Sequence, residues 1–323
     1  MKALHYERYG PPEVLEFREV EKPTPGRQEV RVRVHATTVN RTDNATIRGI
    51  PFFARLITGV WRPKWKIPGS EFAGIVDAVG EAVTAFKVGD RVFGFNDLGA
   101  CAHAEYLVIA EEFAVTMPEG CSFGQAAASV EGAHYAYNCI NKLTLQPGDA
   151  VLVYGATGAI GSAAVQLLKY FQATVTAVCA TPHLELVKAL GADRVVDYLR
   201  EDFTHSEQRY RLVVDAVGKV SFFQCKHLLE PGGVYVSTDL GHWAQNIFLP
   251  LFTPFLKFLW EHKYTLFPWP ENKRRSLLLI RKLMVEGRFK AVIDRTYPLD
   301  QIIEAYRYVG TGQKIGNVVI SLE

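Results

Sequence analysis

The feature that most constrains this chain is an apolar pentapeptide that runs into a glycine-rich turn. Ala150-Val151-Leu152-Val153-Tyr154 shows no polar alternation, as expected of a strand covered on both faces. It is followed by Gly155-Ala156-Thr157-Gly158-Ala159-Ile160-Gly161, after which residues 162–171 read as a helix. The GxxGxxG spacing alone says little, but between a buried strand and a helix it predicts a dinucleotide turn. Glycines there let the chain turn tightly, let a pyrophosphate approach the backbone, and seat the helix against the strand. The helix N-terminus adds partial positive charge toward phosphate. A glycine-rich turn without a ligand is the alternative.

The units that follow repeat the form. Strands are expected at 174–179, 194–196, 212–215 and 233–237, and helices at 183–190 and 220–229. This alternation implies an α/β domain with a doubly wound parallel sheet. Upstream the pattern differs. Val30-Arg31-Val32-Arg33-Val34 alternates strictly, and residues 71–80 and 87–94 are short apolar runs punctuated by Gly and Asp. They suggest a barrel-like β domain. Residues 122–143 read as helical, and the tail from 291, with Val318-Val319-Ile320, returns to strand. The expected division is 1–122, 123–270, and a return of 271–323 to the first domain.

With 323 residues, two domains are the natural count. Lys+Arg 36 against Asp+Glu 34 leaves +2, too balanced to suggest a nucleic-acid partner. Five scattered cysteines with no CxxC form neither a disulfide framework nor a zinc ribbon. They suit a reducing, cytoplasmic setting, and no apolar run follows the N-terminal MKALHYERYG as a secretory signal requires. Residues 247–260 are too short to span a bilayer and contain Pro250, Pro254 and Lys257.

The second strand of the dinucleotide domain bears on cofactor choice. An acid placed there bonds the ribose hydroxyls of NAD. Cys179, Thr181 and His183 lie in an acid-free stretch, with Lys188 one turn on, which favours NADP(H). Thr181 acting only as a helix N-cap is the alternative.

Taken together, the β domain, the GATGAIG unit and the return strand resemble the medium-chain dehydrogenase/reductase superfamily. Within it the chain is similar to the zinc-independent quinone oxidoreductases, which include zeta-crystallin-like and reticulon-4-interacting-protein-like reductases. The segments that carry the resemblance are 9–15, 69–76, 88–94, 190–193 and 215–218. The resemblance implies a Rossmann sheet beside a GroES-like β-barrel, a homodimer, and hydride transfer from NADPH to a small quinone or α,β-unsaturated carbonyl. Zinc enzymes of the superfamily carry Cys, His and Cys where this chain has Asn40, Ser70 and Glu131. Asn and Ser are poor zinc ligands, so no metal is expected. An alcohol or carbonyl dehydrogenase and a non-catalytic NADPH-binding sensor remain the rival readings, since fold does not fix function.

Asn40 and Asp43 match the superfamily's Asn-x-x-Asp signature, which implies a substrate-facing amide at Asn40 and a loop-orienting role for Asp43. Related reductases often follow it with a tyrosine; here Asn44, Ala45 and Thr46 stand there. Glu131, His134 and Tyr135 share one helix face at i, i+3 and i+4. They are candidates for a proton donor on Tyr135 tuned by its neighbours, the alternative being an ordinary packed helix. Matching positions also imply cofactor contacts at Tyr198, Val217, Gly218 and Lys314. Residues 246–270 hold Phe248, Phe252 and Phe255 at helical spacing, read as a helical insertion packed on the sheet, with a lipophilic substrate wall or a peripheral membrane contact as lesser readings.

Overall fold

The computed structural model describes residues 1–241, 245–269 and 272–322. The chain divides into two compact units, residues 1–131 with 272–323, and residues 132–271.

The first unit is built on strands β1 (Lys2–His5), β2 (Glu16–Glu19), β3 (Glu29–Val39), β4 (Glu71–Val79), β5 (Arg91–Phe95), β6 (Tyr106–Ala110) and β7 (Ala114–Thr116). The second holds β8 (Ala150–Tyr154), β9 (Thr174–Cys179), β10 (Arg194–Asp197), β11 (Tyr210–Asp215), β12 (Leu229–Ser237) and β13 (Tyr264–Leu266). Strands β14 (Ile293–Pro298) and β15 (Asn317–Ser321) return to the first.

In the first unit the main sheet runs β14-β15-β3-β4-β5-β7, with β6 also paired to β3. The alternation at Val30, Val32 and Val34 sends these three valines into a core with Phe72, Val76 and Leu107. β3 is long enough to pair along its length with β4, β6 and β15. The β3–β4 register sets Thr37 opposite Phe72, so the end of β3 lies beside the start of β4. The helix Phe123–Ala127 packs on β3, β4 and β5 in this unit.

In the second unit six strands run parallel in the order β10-β9-β8-β11-β12-β13. The order reverses direction between β8 and β11, the switch point at which such sheets bind ligands. The continuous apolar run of β8 reflects its central place, with Val151, Leu152 and Val153 fully buried. The doubly wound α/β reading therefore holds.

Three expectations are corrected. Residues 122–143 are two helices, Phe123–Ala127 and Glu131–Ile140, with the chain breaking between them. The expected helix at 220–229 shrinks to Phe222–Cys225 and a 3-10 turn, because β12 begins at Leu229. The aromatic segment is a helix, Gln245–Leu256, that packs on the sheet as read, with Thr253 Oγ1 accepting from the Thr265 N–H at 3.1 Å; but it is followed by an unexpected sixth strand, β13, and Phe248, Phe252 and Phe255 are exposed. Pro270, where that segment and the second expected domain both end, lies outside the described residues.

Candidate active site

β3 ends at Val39, and Asn40, still extended, caps the helix Arg41–Arg48. Its Oδ1 accepts from the Asp43 N–H at 2.7 Å, while the Asp43 carboxylate accepts from the Asn40 N–H at 3.2 Å. This is a capping box with Asp at the third position, and it explains the Asn-x-x-Asp spacing in purely local terms. The cap also aims the other end of the Asn40 amide. Nδ2 donates to Ser70 Oγ at 2.8 Å and lies 3.4 Å from Glu71 Oε2. Ser70 in turn hydrogen-bonds the Asp43 carboxyl.

Glu71 opens β4 and is fully buried. One carboxylate oxygen accepts from Thr38 Oγ1; the other accepts from the Glu131 N–H at 2.6 Å. The Glu131 side chain bonds Thr42 and faces the Glu71 carboxylate and the Lys314 ammonium. Lys314 Nζ donates to the Gly316 carbonyl at 2.5 Å. Three acids and one ammonium thus share a poorly hydrated region. Burial, then the Glu71 charge, pushes the Asp43 carboxyl up to about 8. Burial raises Glu71, and burial with the neighbouring Glu71 charge raises Glu131 well above the usual carboxylate range. Burial also lowers the Lys314 ammonium against the pull of both glutamates.

Behind the cluster, buried His103 sets Nε2 2.8 Å from the Thr38 carbonyl and Nδ1 3.1 Å from the Tyr306 hydroxyl. A carbonyl only accepts, so Nε2 carries the proton and Nδ1 takes the tyrosine's. Burial holds the His103 imidazole down to about 4, hence neutral. A small cleft within this unit is lined by Tyr6, Thr42, Asp43, Thr46, Trp65 and Ser70 among others.

In the second unit the turn after β8 has the predicted form. Gly155 has φ +80°, and a Cβ there would lie 2.6 Å from Val217. A Cβ on Gly161 would sit 2.1 Å from the Gly155 carbonyl oxygen, so helix Ala159–Tyr170 approaches the strand as only glycine permits. A Cβ on Gly158 would meet only the Gly155 carbonyl oxygen, at 3.7 Å. The turn is thus tight below and open above, and Ala156, Thr157, Ala159 and Ile160 complete a cradle that fits a dinucleotide phosphate.

The other predicted cofactor residues follow the carboxyl ends of neighbouring strands. Cys179 closes β9; it is buried, and burial pushes its thiol up to about 11. Thr181 makes no helix-capping bond; its hydroxyl donates to Asp197 at the end of β10 at 2.5 Å. Asp197 also accepts the Leu199 N–H at 3.0 Å and lies 3.4 Å from Arg200. These donors, Thr181 first, hold its carboxyl below the usual range. So an acid does stand beside Thr181, supplied by the next strand. Lys188 pairs with Glu185 at 2.9 Å, whereas His183 lies in the turn that opens the following helix. Tyr198 is half exposed, edge-on to Tyr154. After β11, the buried Asp215 carboxylate accepts the N–H groups of Val217 (3.1 Å) and Gly218 (2.8 Å), and its other oxygen takes the Tyr235 hydroxyl at 2.9 Å.

Glu131, His134 and Tyr135 do lie on one helix, but the bonds of Glu131 run to residues of the first unit. His134 is fully buried with its Nε2 3.3 Å from Asn138 Nδ2, and Tyr135 is half-buried, edge-on to it. Ser70 and Glu71 bind the cluster together, yet sequence reasoning used Ser70 only as a replaced zinc-ligand position and Glu71 only as part of a motif. His103 escaped it altogether, and Asp197 and Asp215 were given no role; an acid closing each of two parallel strands was the available signal. Among the described residues no three His, Cys, Asp or Glu side chains are grouped to hold a metal ion.

Residues 26–129 match the profile of the alcohol dehydrogenase GroES-like domain, and residues 190–320 that described as zinc-binding dehydrogenase. The chain is 34% identical to a quinone oxidoreductase of Pseudomonas aeruginosa over 73% of its length and 72% of the relative's. It is 30% identical to the 2-methylene-furan-3-one reductase of Solanum lycopersicum, covering 99% of this chain and 79% of that one. The solved quinone oxidoreductase of Coxiella burnetii superposes with a TM-score of 0.87 at 26% identity, over 100% of this chain and 99% of that one. The first unit thus carries a GroES-like domain and the second a Rossmann sheet. With these relatives, a switch-point turn shaped for dinucleotide phosphate and a cluster of polar groups at the end of β3, the chain belongs to the quinone oxidoreductase branch of the NAD(P)H-using medium-chain dehydrogenase/reductase superfamily.

Proposed function

We propose that the chain is a zinc-independent, NADPH-dependent reductase of quinones or α,β-unsaturated carbonyls. The observation that carries this reading is the Asn40–Ser70–Asp43 chain bordering the cleft, where the zinc enzymes need ligands. Asn40 spends its oxygen on the Asp43 N–H and turns its amide nitrogen, which has no lone pair to give, toward Ser70. The Glu131 carboxyl is engaged by Thr42 and faces Lys314. This donor set does not fit zinc. The quinone oxidoreductase and furanone reductase among the relatives support the substrate class.

The cradle of Gly155 to Gly161, with Val217 and Gly218 positioned by Asp215, would hold the cofactor, which when bound supplies a hydride. The chain's own task is the proton. At neutral pH Asp43 retains its carboxylic proton. Ser70 Oγ accepts from Asn40, its hydroxyl bonds the Asp43 carboxyl, and Ser70 lines the cleft. For the transfer the protonated Asp43 turns its O–H to Ser70 Oγ and the serine turns its hydrogen to the substrate. When the substrate has gained a hydride on carbon and a negative charge on oxygen, the Ser70 O–H breaks as the substrate O–H forms. The Asp43 O–H breaks as the serine hydroxyl is restored, and Asp43, left as carboxylate, takes a proton from water. The substrate thereby gains two electrons and two hydrogens. Asn40 is a positioning residue for Ser70. Tyr135 is the second candidate donor.

The NADPH preference rests on the absence of an acid from residues 178–184 of the sequence and on Arg200, a cation suited to a 2′-phosphate. The charge of Asp197 is already met by Thr181, Leu199 and Arg200. A homodimer is proposed by family resemblance. The test is oxidation of NADPH and of NADH with quinones, enones and simple aldehydes. Turnover of quinones or enones, a lower KM for NADPH and little reaction with aldehydes are expected. Aldehyde turnover lost on treatment with a chelator would overturn the reading.

A further inference from the structure

The first unit carries a second surface that the reaction does not use. Between Asp43 and Glu71 there is no acidic residue, and there are five cations, Arg48, Arg55, Arg62, Lys64 and Lys66. The same stretch exposes Phe52, Phe53, Leu56, Ile57, Val60 and Trp61, with Leu56 78% and Trp61 90% accessible. Bulky apolar groups so exposed and so close together mark an interaction site on a folded protein.

The projection is anchored at its base. The Tyr9 hydroxyl donates to the Gly59 carbonyl at 2.7 Å, and the Lys64 N–H to the Thr58 carbonyl at 2.7 Å. The Arg55 guanidinium bonds the Gly49 carbonyl and lies over the rings of Tyr9 and Phe52. Arg62, Lys64 and Lys66 remain exposed at its edge, with Glu7 4.0 Å from Lys66 as the nearby acid. Thr58 and Trp65 of the same stretch line the cleft that holds Asp43 and Ser70.

We propose that this projection docks the protein on an anionic phospholipid surface, so that the cleft takes lipophilic quinones or enones dissolved in the bilayer. Charge complementarity selects the occupant. Side chains such as Trp61 and Leu56 enter the boundary of headgroups and acyl chains, while the cations meet acidic headgroups. A two-fold contact between copies of this chain would instead set the same basic patch against itself. The substrate half of this inference rests on the reading under Proposed function; the docking half does not.

The test is flotation of the full chain with phosphatidylcholine vesicles, with and without about one third phosphatidylserine. The expected result is binding to the acidic vesicles, weakened by high salt, and a drop of about tenfold or more in Leu56→Glu/Trp61→Glu. That variant is expected to keep wild-type turnover of a short-chain, water-soluble quinone. Absence from the acidic-vesicle fraction, or equal flotation of the variant, overturns the docking. So does a concentration-dependent dimer lost in the variant without vesicle binding, which would make a second copy the occupant. Vesicle binding without turnover of any quinone or enone would leave the docking standing and remove the substrate reading.

Discussion

Asp43 caps its helix and borders the cleft at once, and Asn in its place retains the oxygen the cap needs while removing the transferable proton. Asp43→Asn is therefore expected to lower kcat by about a hundredfold or more, with little change in KM or in cofactor-induced thermal shift. The wild-type kcat is expected to hold at low pH and fall above about 8 as Asp43 ionises. Loss of that alkaline limb in the variant is the readout a mere cap would not give. At Lys314 the issue is charge. Lys314→Met leaves Glu71 and Glu131 buried without their cation, at a cost of about 3 kcal/mol near pH 7. The loss should shrink at pH 5, where those acids more readily take up protons; denaturant unfolding at both pH values checks it. The spacing of Asn40 and Asp43 was legible because a helix cap is a local device. The part played by Ser70 and Glu71 was not, since it depends on the β3–β4 register, which no short window of sequence contains.

Among the elements, the strand β8, its turn and its helix were the most legible, because a buried strand leaves an unbroken apolar run and glycine marks close approach. The same reasoning gives a prediction. Gly161→Ala drives a methyl group into the Gly155 carbonyl oxygen, so the turn must open. Destabilisation of about 1–3 kcal/mol is expected, with the cofactor-induced thermal shift greatly reduced, as differential scanning fluorimetry would record. The short β13 was missed because three residues at a sheet edge carry too little pattern, and aromatic neighbours at helical spacing overwrote it. The two helices within 122–143 were fused for a related reason. Ala126, Ala127 and Ala128 favour helix strongly, but Gly132 is pressed against Ala159, where a Cβ would lie 2.8 Å from backbone, so tertiary fit decides where the second helix starts.

For the whole molecule the buried acids set the pH response. Asp43 keeps its proton in the folded state up to about 8, whereas an unfolded aspartate loses it near 4. Its raised folded pKa contributes stability that is fully present below about pH 4 and is lost as pH rises toward 8. The unfolding free energy of wild type relative to Asp43→Asn should therefore fall across that window, by at most about 1.4 kcal/mol per pH unit. His103, held neutral by burial, works in the other direction and costs stability on acidification below its unfolded value. The position of β15 has a further consequence, for order of synthesis. Residues 132–271 are contiguous and complete their own parallel sheet. The first unit is not: β15 lies between β14 and β3 in its sheet, and Lys314 arrives only with the loop before it. On a ribosome the nucleotide-binding half could close early, while the half bearing Asp43 and Glu71 waits, with one flank of β3 open, for β15 to emerge. The cluster around Asp43 would then be completed after the nucleotide-binding half.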